Sequence, residues 1–95
     1  MTLEVHIESH FVKRVKVLGG MAIKMNIVGT VGLPDRLVFL PGSRVWLVEL
    51  KRPGGRVRPT QLVTHARLAE LGINVAVLSS REEVDEWIAE RERES

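Results

Sequence analysis

Two β-rich runs, Asp35 to Leu40 and Arg44 to Lys51, are separated only by Pro41-Gly42-Ser43. That spacing predicts a hairpin. Apolar residues stand at both parities of each run, so both faces of the sheet must be covered. Strands of this kind need helices around them, which places the chain in the α/β class. Its 95 residues suit one domain over residues 1–95, too small to carry a separate targeting or partner module.

Helical patterns flank the hairpin. Between residues 3 and 18, Leu3, Ile7, Phe11, Val15 and Leu18 fall on one face at about 100° per residue, with Val5 and Val12 to one side. Thr2 is a candidate N-cap and Gly19-Gly20 a stop signal. Met21 to Asn26 reads as a short strand. Gly29, Gly32 and Pro34 mark a loop, expected to be mobile from Gly29 to Leu33. Pro59 opens a helix to about Leu71, Asn74 to Leu78 reads as a strand, and Ser80 with Glu83 forms a capping box for a last helix. The predicted order is αβββαβα. The closing Glu-Arg alternation is expected to be a solvated, frayed helix end.

Composition narrows the function classes. Hydrophobic residues make up 44% and charged residues 27%, a globular balance. With no cysteine, disulfide and thiolate-zinc scaffolds are excluded. No apolar run approaches the roughly 18 residues of a membrane span, and no signal-peptide pattern opens the chain. A protein of the cytoplasm is expected, without membrane contact. The net charge of +2 conceals an asymmetry. Residues 81–95 hold seven acids and three bases, leaving eleven bases against five acids in the first eighty. A basic body of this kind suits a polyanionic partner, and equally an ordinary solvated surface.

Glu49 and Lys51 stand two apart, so they share a strand face and lie about 7 Å apart along it. If the hairpin pairs position i with 84 − i, Asp35 lies directly across from Glu49. A slip of one residue would send it to the other side. Glu8 falls inside the apolar face of the first helix, where a carboxylate either has a buried partner or looks into a cleft. Three such carboxylates would raise one another's pKa values unless something positive sat among them. Lys51 is one such charge; a hard divalent cation with oxygen ligands is another, and it suits phosphodiester hydrolysis. Pro-Asp also opens many strands, and Glu-x-Lys is a common ion pair. Their conjunction with Glu8 and a basic body favours a site.

The strings Gly32-Leu33-Pro34-Asp35-Arg36-Leu37, Glu49-Leu50-Lys51, Pro53-Gly54-Gly55-Arg56 and Pro59-Thr60-Gln61 together resemble the virus-type replication-repair nuclease domain, VRR-NUC, of the PD-(D/E)xK nuclease superfamily. The resemblance extends from Glu8 to about Val84. It implies a restriction-endonuclease-like αβββαβ core with a C-terminal helix, in which a mixed sheet is covered by helices. It further implies that Asp35, Glu49 and the Leu50 carbonyl bind Mg2+ or Mn2+, that Glu8 completes the site, and that Lys51 is catalytic. Gln61 and Lys24 match family residues whose implied role is to position DNA or water. Single-domain members resemble junction-resolving enzymes that act as homodimers. The resemblance thus implies a metal-dependent, structure-selective DNA endonuclease acting on branched DNA such as four-way junctions, in a bacterial or phage-infected cell. One departure stands out: Arg58 occupies a position where the family often has a serine or threonine cap.

Arg36, Arg52, Arg56 and Arg58 flank the expected site and suit phosphate contacts that orient DNA without reading its sequence. His6 and His10 bracket Glu8, but the order is not that of a metalloprotease helix, and both are expected on the exposed side. His65 fits a DNA contact and a surface role equally. Trp46 and Trp87 suit the core or a subunit interface. Two other functions compete with the nuclease: a non-catalytic nucleic-acid-binding module on the same fold, against which the intact acidic and lysine set speaks, and an interaction domain indifferent to salt.

Overall fold

The computed structural model describes residues 3–94 and runs α1 (Leu3–Val17), β1 (Met21–Lys24), β2 (Arg36–Leu40), β3 (Arg44–Leu50), α2 (Pro59–Glu70), β4 (Val75–Leu78) and α3 (Arg81–Arg93). The order is the predicted one, with each early element one or two residues shorter than its sequence pattern. Thr2, the candidate cap of α1, lies outside the described residues. The strands form one sheet in the order β1-β2-β3-β4. β1, β2 and β3 pair antiparallel, whereas β3 and β4 are parallel, with α2 as the crossover that a parallel pair requires. Arg36 faces Val48 and Leu40 faces Arg44, so the hairpin has the predicted register.

Alternation then sorts the side chains into two faces. Val38, Leu40, Val48 and Leu50 point to one side and are buried with Ile7, Phe11 and Val15 of α1 and Val84, Trp87 and Ile88 of α3. Each such side chain stabilises the fold by about 1.5–3 kcal/mol. The α1–β1 turn sits tight against β2: a Cβ on Gly20 would lie 2.5 Å from the Phe39 carbonyl oxygen. Only glycine allows that approach.

The opposite face is less well covered, and here the expectation of cover on both sides is only half met. α2 lies over the Glu49 end, while Met21, Phe39 and Val45 remain 60%, 40% and 42% exposed. A helix of 12 residues spans about 18 Å, and α2 is tethered on the β4 side, so it does not reach β1.

The C-terminal helix also departs from its sequence reading. Rather than fraying, it holds Arg91 buried, with its guanidinium 4.3 Å from the Trp46 ring centroid and 5.0 Å from that of Trp87. Glu90 and Glu94 pair with it at 3.1 Å each. Arg44 donates to the Arg91 carbonyl at 2.6 Å and so ties the hairpin to this helix end. Trp46 and Trp87 are therefore core residues, packed edge to face with centroids 5.4 Å apart.

Candidate active site

Asp35 immediately precedes β2, and its carbonyl accepts from the Met25 N–H at 2.8 Å. The register continued by one step places it across from Glu49 on β3. The Leu50 N–H points at Asp35 Oδ1 at 3.4 Å, a long contact that joins the two strands at the site. Lys51 continues the β3–β4 ladder by donating its N–H to the Leu78 carbonyl at 2.9 Å. Its Nζ lies 3.1 Å from Glu49 Oε2. Glu49 is only 5% exposed, and its second oxygen, Oε1, is buried without a hydrogen-bond partner.

Burial is the first cause that pushes the Asp35 carboxyl up, to about 6, followed by the charge of Glu49; Glu8 adds to it. The Leu50 N–H and Arg36 pull the other way. Glu8 is thus near enough for its charge to be felt at Asp35. On α1 it occupies the flank rather than the middle of the buried stripe, in a groove it shares with Val5, Ser9, Val12, Lys13 and Arg36. Of the two settings open to a carboxylate there, the cleft is the one realised.

The approach to Asp35 is shaped by the loop between β1 and β2. Its far half is not free: Thr64 Oγ1 of α2 donates to the Val31 carbonyl at 2.8 Å. Gly32 adopts φ +87°, and a Cβ there would lie 2.5 Å from the Thr60 carbonyl oxygen. The loop expected to be mobile is therefore pinned to α2 just before Pro34 and Asp35.

Gln61 is buried, and its Oε1 accepts the Arg58 N–H at 3.0 Å. This bond satisfies one open donor at the start of α2, which the Arg58 guanidinium, having no acceptor, cannot do. One turn further along the same helix face stands His65, whose Nε2 is also buried without a partner. Burial holds its imidazole below the ordinary value, with Glu49 opposing and Lys51 reinforcing the shift. By sequence alone, His65 fits a DNA contact and a surface role equally. The signal available there was its four-residue spacing from Gln61.

The basic residues do not form one cluster. Arg52, Arg56 and Arg58 are exposed on the loop between β3 and α2, while Arg36 turns toward the α1 groove beside Glu8. Lys24 is exposed at the end of β1, paired across the sheet with Arg36. His10 is engaged elsewhere: its Nε2 lies 2.7 Å from Asp85 Oδ1, which Arg14 also approaches at 3.4 Å, and the three join α1 to α3.

Among the described residues, no three acidic or histidine side chains converge closely enough to hold a metal ion by themselves. The donors present nevertheless fit a hard cation. Glu49 Oε1 is buried and unpaired, Asp35 is pushed up by burial and then by neighbouring carboxylates, and every candidate ligand is oxygen, the backbone carbonyl included.

An aspartate and a Glu-x-Lys at the ends of neighbouring strands, in a mixed sheet flanked by helices, define an acid-and-lysine site on an α/β scaffold. Residues 9–82 match the model of the VRR-NUC domain, and the chain belongs to the VRR-NUC family. It is similar to "Putative nuclease p44" of Acyrthosiphon pisum secondary endosymbiont phage 1, at 47% identity over 76 residues, covering 80% of this chain and 82% of the relative. A solved structure described as a VRR_NUC domain superposes with a TM-score of 0.88 at 36% identity, covering 94% of this chain and 97% of that one. The family resemblance carried by the sequence motifs is borne out, and so is the α/β fold it implies.

Proposed function

We propose that this protein is a divalent-metal-dependent endonuclease that hydrolyses DNA phosphodiester bonds and prefers branched DNA. The observation that carries this reading is the divided Glu49 carboxylate, on the sheet face it shares with Asp35: one oxygen grips Lys51 at 3.1 Å, and the other is buried and unpaired. Membership of the VRR-NUC family and the phage relative's printed name support nuclease chemistry.

Asp35, Glu49 and the Leu50 carbonyl, with Glu8 from α1, would hold Mg2+ or Mn2+. Such a cation polarises the phosphodiester and lowers the pKa of a bound water. Lys51 is a compact charge suited to orient the attacking water or a phosphate oxygen. Its pairing with Glu49 holds the ammonium beside the carboxylate. Gln61 uses Oε1 in the cap of α2, which leaves its amide nitrogen for DNA or water. Arg52, Arg56 and Arg58 lie on one exposed loop and would contact phosphates, with Lys24 and Arg36 serving a flanking stretch of backbone. A second copy seated on the open sheet face would give two equivalent sites, which suits a four-way junction with two strands to cut. Among the described residues no helix is long and apolar enough to cross a membrane. With the phage relative, this is in keeping with action in a bacterial or phage-infected cytoplasm.

The test is cleavage of labelled four-way junction, flap, splayed and linear duplex DNA in Mg2+, Mn2+ or chelator. Branched substrates are expected to be cut only with metal. Asp35→Ala and Lys51→Ala should bind DNA as the unaltered protein does and lose at least about 100-fold in rate. Undiminished cutting by either variant would overturn the catalytic assignment, and binding without any cutting by the unaltered protein would favour a non-catalytic module.

A further inference from the structure

Two polar side-chain atoms at the site are buried with no partner in the fold, Glu49 Oε1 and His65 Nε2. They arise from different elements, β3 and α2, yet the imidazole lies close enough to feel the charges of both Glu49 and Lys51. The rotation of α2 enforces this placement. Thr64 is tied to Val31 on one side, and Gln61, one turn before His65, is buried. A polar atom left buried and unpaired costs about 1–3 kcal/mol. A histidine with a surface role would turn outward and avoid that cost. Two such atoms within one small region are most simply satisfied by sharing one bound water, since a buried water needs at least two polar partners.

Building on the nuclease reading above, we propose that His65 is a positioning residue of the site, whose Nε2 holds the free oxygen of Glu49 through one bound water. Glu49 is then fixed at both ends, by Lys51 at Oε2 and by His65 at Oε1. A carboxylate so fixed is oriented before the cation arrives, and Lys51 is prevented from drawing it away. Outer hydrogen-bond partners of this kind are generally worth about 10–100-fold in metal affinity or activity.

The experiment compares three variants in the full chain. His65→Phe keeps the ring volume and removes Nε2; His65→Gln carries its amide to about the place of Nε2, and His65→Asn only to that of Nδ1. Thermal melts check folding, calorimetry reads Mn2+ affinity without DNA, filter binding in Ca2+ reads DNA affinity, and single-turnover cleavage reads rate. His65→Phe is expected to fold and bind DNA normally, with Mn2+ affinity and cleavage rate reduced about 10–100-fold. Gln should restore most of both, and Asn little. Unchanged Mn2+ affinity and rate in His65→Phe would overturn the proposal, as would a defect confined to DNA affinity, which would make His65 a DNA contact. Should His65→Phe not fold, the Gln–Asn contrast decides, and equal behaviour of the two counts against the idea. If the unaltered protein cuts no DNA, the nuclease reading fails on its own, while the Mn2+ titrations still report on His65.

Discussion

Asp35 carries a carboxyl that burial, then Glu49 and Glu8, push from 3.8 to about 6. The consequence for stability has a definite sign. Well below pH 3.8 the carboxyl is neutral in both folded and unfolded chains and costs nothing; as pH rises from about 4 to 6 the unfolded chain ionises while the folded one still holds its proton, so stability falls and then levels off. Asp35 is partly solvated, which discounts the effect to about 1 kcal/mol. Asp35→Asn, which keeps an acceptor for the Leu50 N–H, should therefore melt about 4–8 °C higher than the unaltered protein at pH 8 and at the same temperature at pH 3.5. Adding Mn2+ at pH 8 should narrow the gap, because a bound cation stabilises the ionised site. Melting curves at the two pH values check this, and a gap that ignores pH would rule out the electrostatic account.

At the scale of elements, the site depends on how α2 meets the loop that delivers Asp35. Gly32 is the contact point, with positive φ and no space for a Cβ against the Thr60 carbonyl and the Thr64 hydroxyl. Gly29 has φ +96° but open space around it. Both substitutions to alanine strain the backbone, and only one also forces the loop off the helix. Gly32→Ala is expected to destabilise by about 2–3 kcal/mol and Gly29→Ala by about 1 kcal/mol. Urea denaturation of the two separates these costs; equal losses would mean that crowding against α2 contributes nothing. α2 itself shows how a helix start without a side-chain cap from Arg58 is still tied down. The Gln61 side chain accepts the Arg58 N–H, so a residue expected at the site from motif matching also secures the helix that carries His65.

For the whole molecule, the unequal faces of the sheet have the largest consequence. One face is sealed by α1 and α3; the other exposes Met21, Ile23, Phe39 and Val45 beyond the reach of α2. Contiguous apolar surface of this kind marks an interaction site, and a second copy related by a two-fold axis would bury it without further sequence. For the dimer proposed above, Phe39→Glu and Val45→Lys are expected to give a monomer at micromolar concentration, with the helix and sheet signature unchanged by circular dichroism. Light scattering reads the outcome. An unaltered protein that stays monomeric as concentration rises would remove the second copy from the functional picture.

The features legible in the chain are those set by local chemistry. The Pro41-Gly42-Ser43 turn specifies the hairpin register, because its length decides which residues of the two runs stand opposite each other, and a slip of one would send Asp35 to the other face. That register is enough to bring Asp35 opposite Glu49 and to put Lys51 beside it. What packing decided lies between elements distant in sequence. Arg91 reads as one more charge on a solvated helix until Trp46 and Trp87 close over it. The loop at Gly32 reads as mobile until α2 docks on it, and His65 reads as indifferent until that docking sets the helix rotation. The sheet looks bound for cover on both faces until the single crossover helix proves too short to span it. Turn chemistry and side-chain alternation act over a few residues, whereas burial and desolvation depend on which surfaces the chain has left to meet one another.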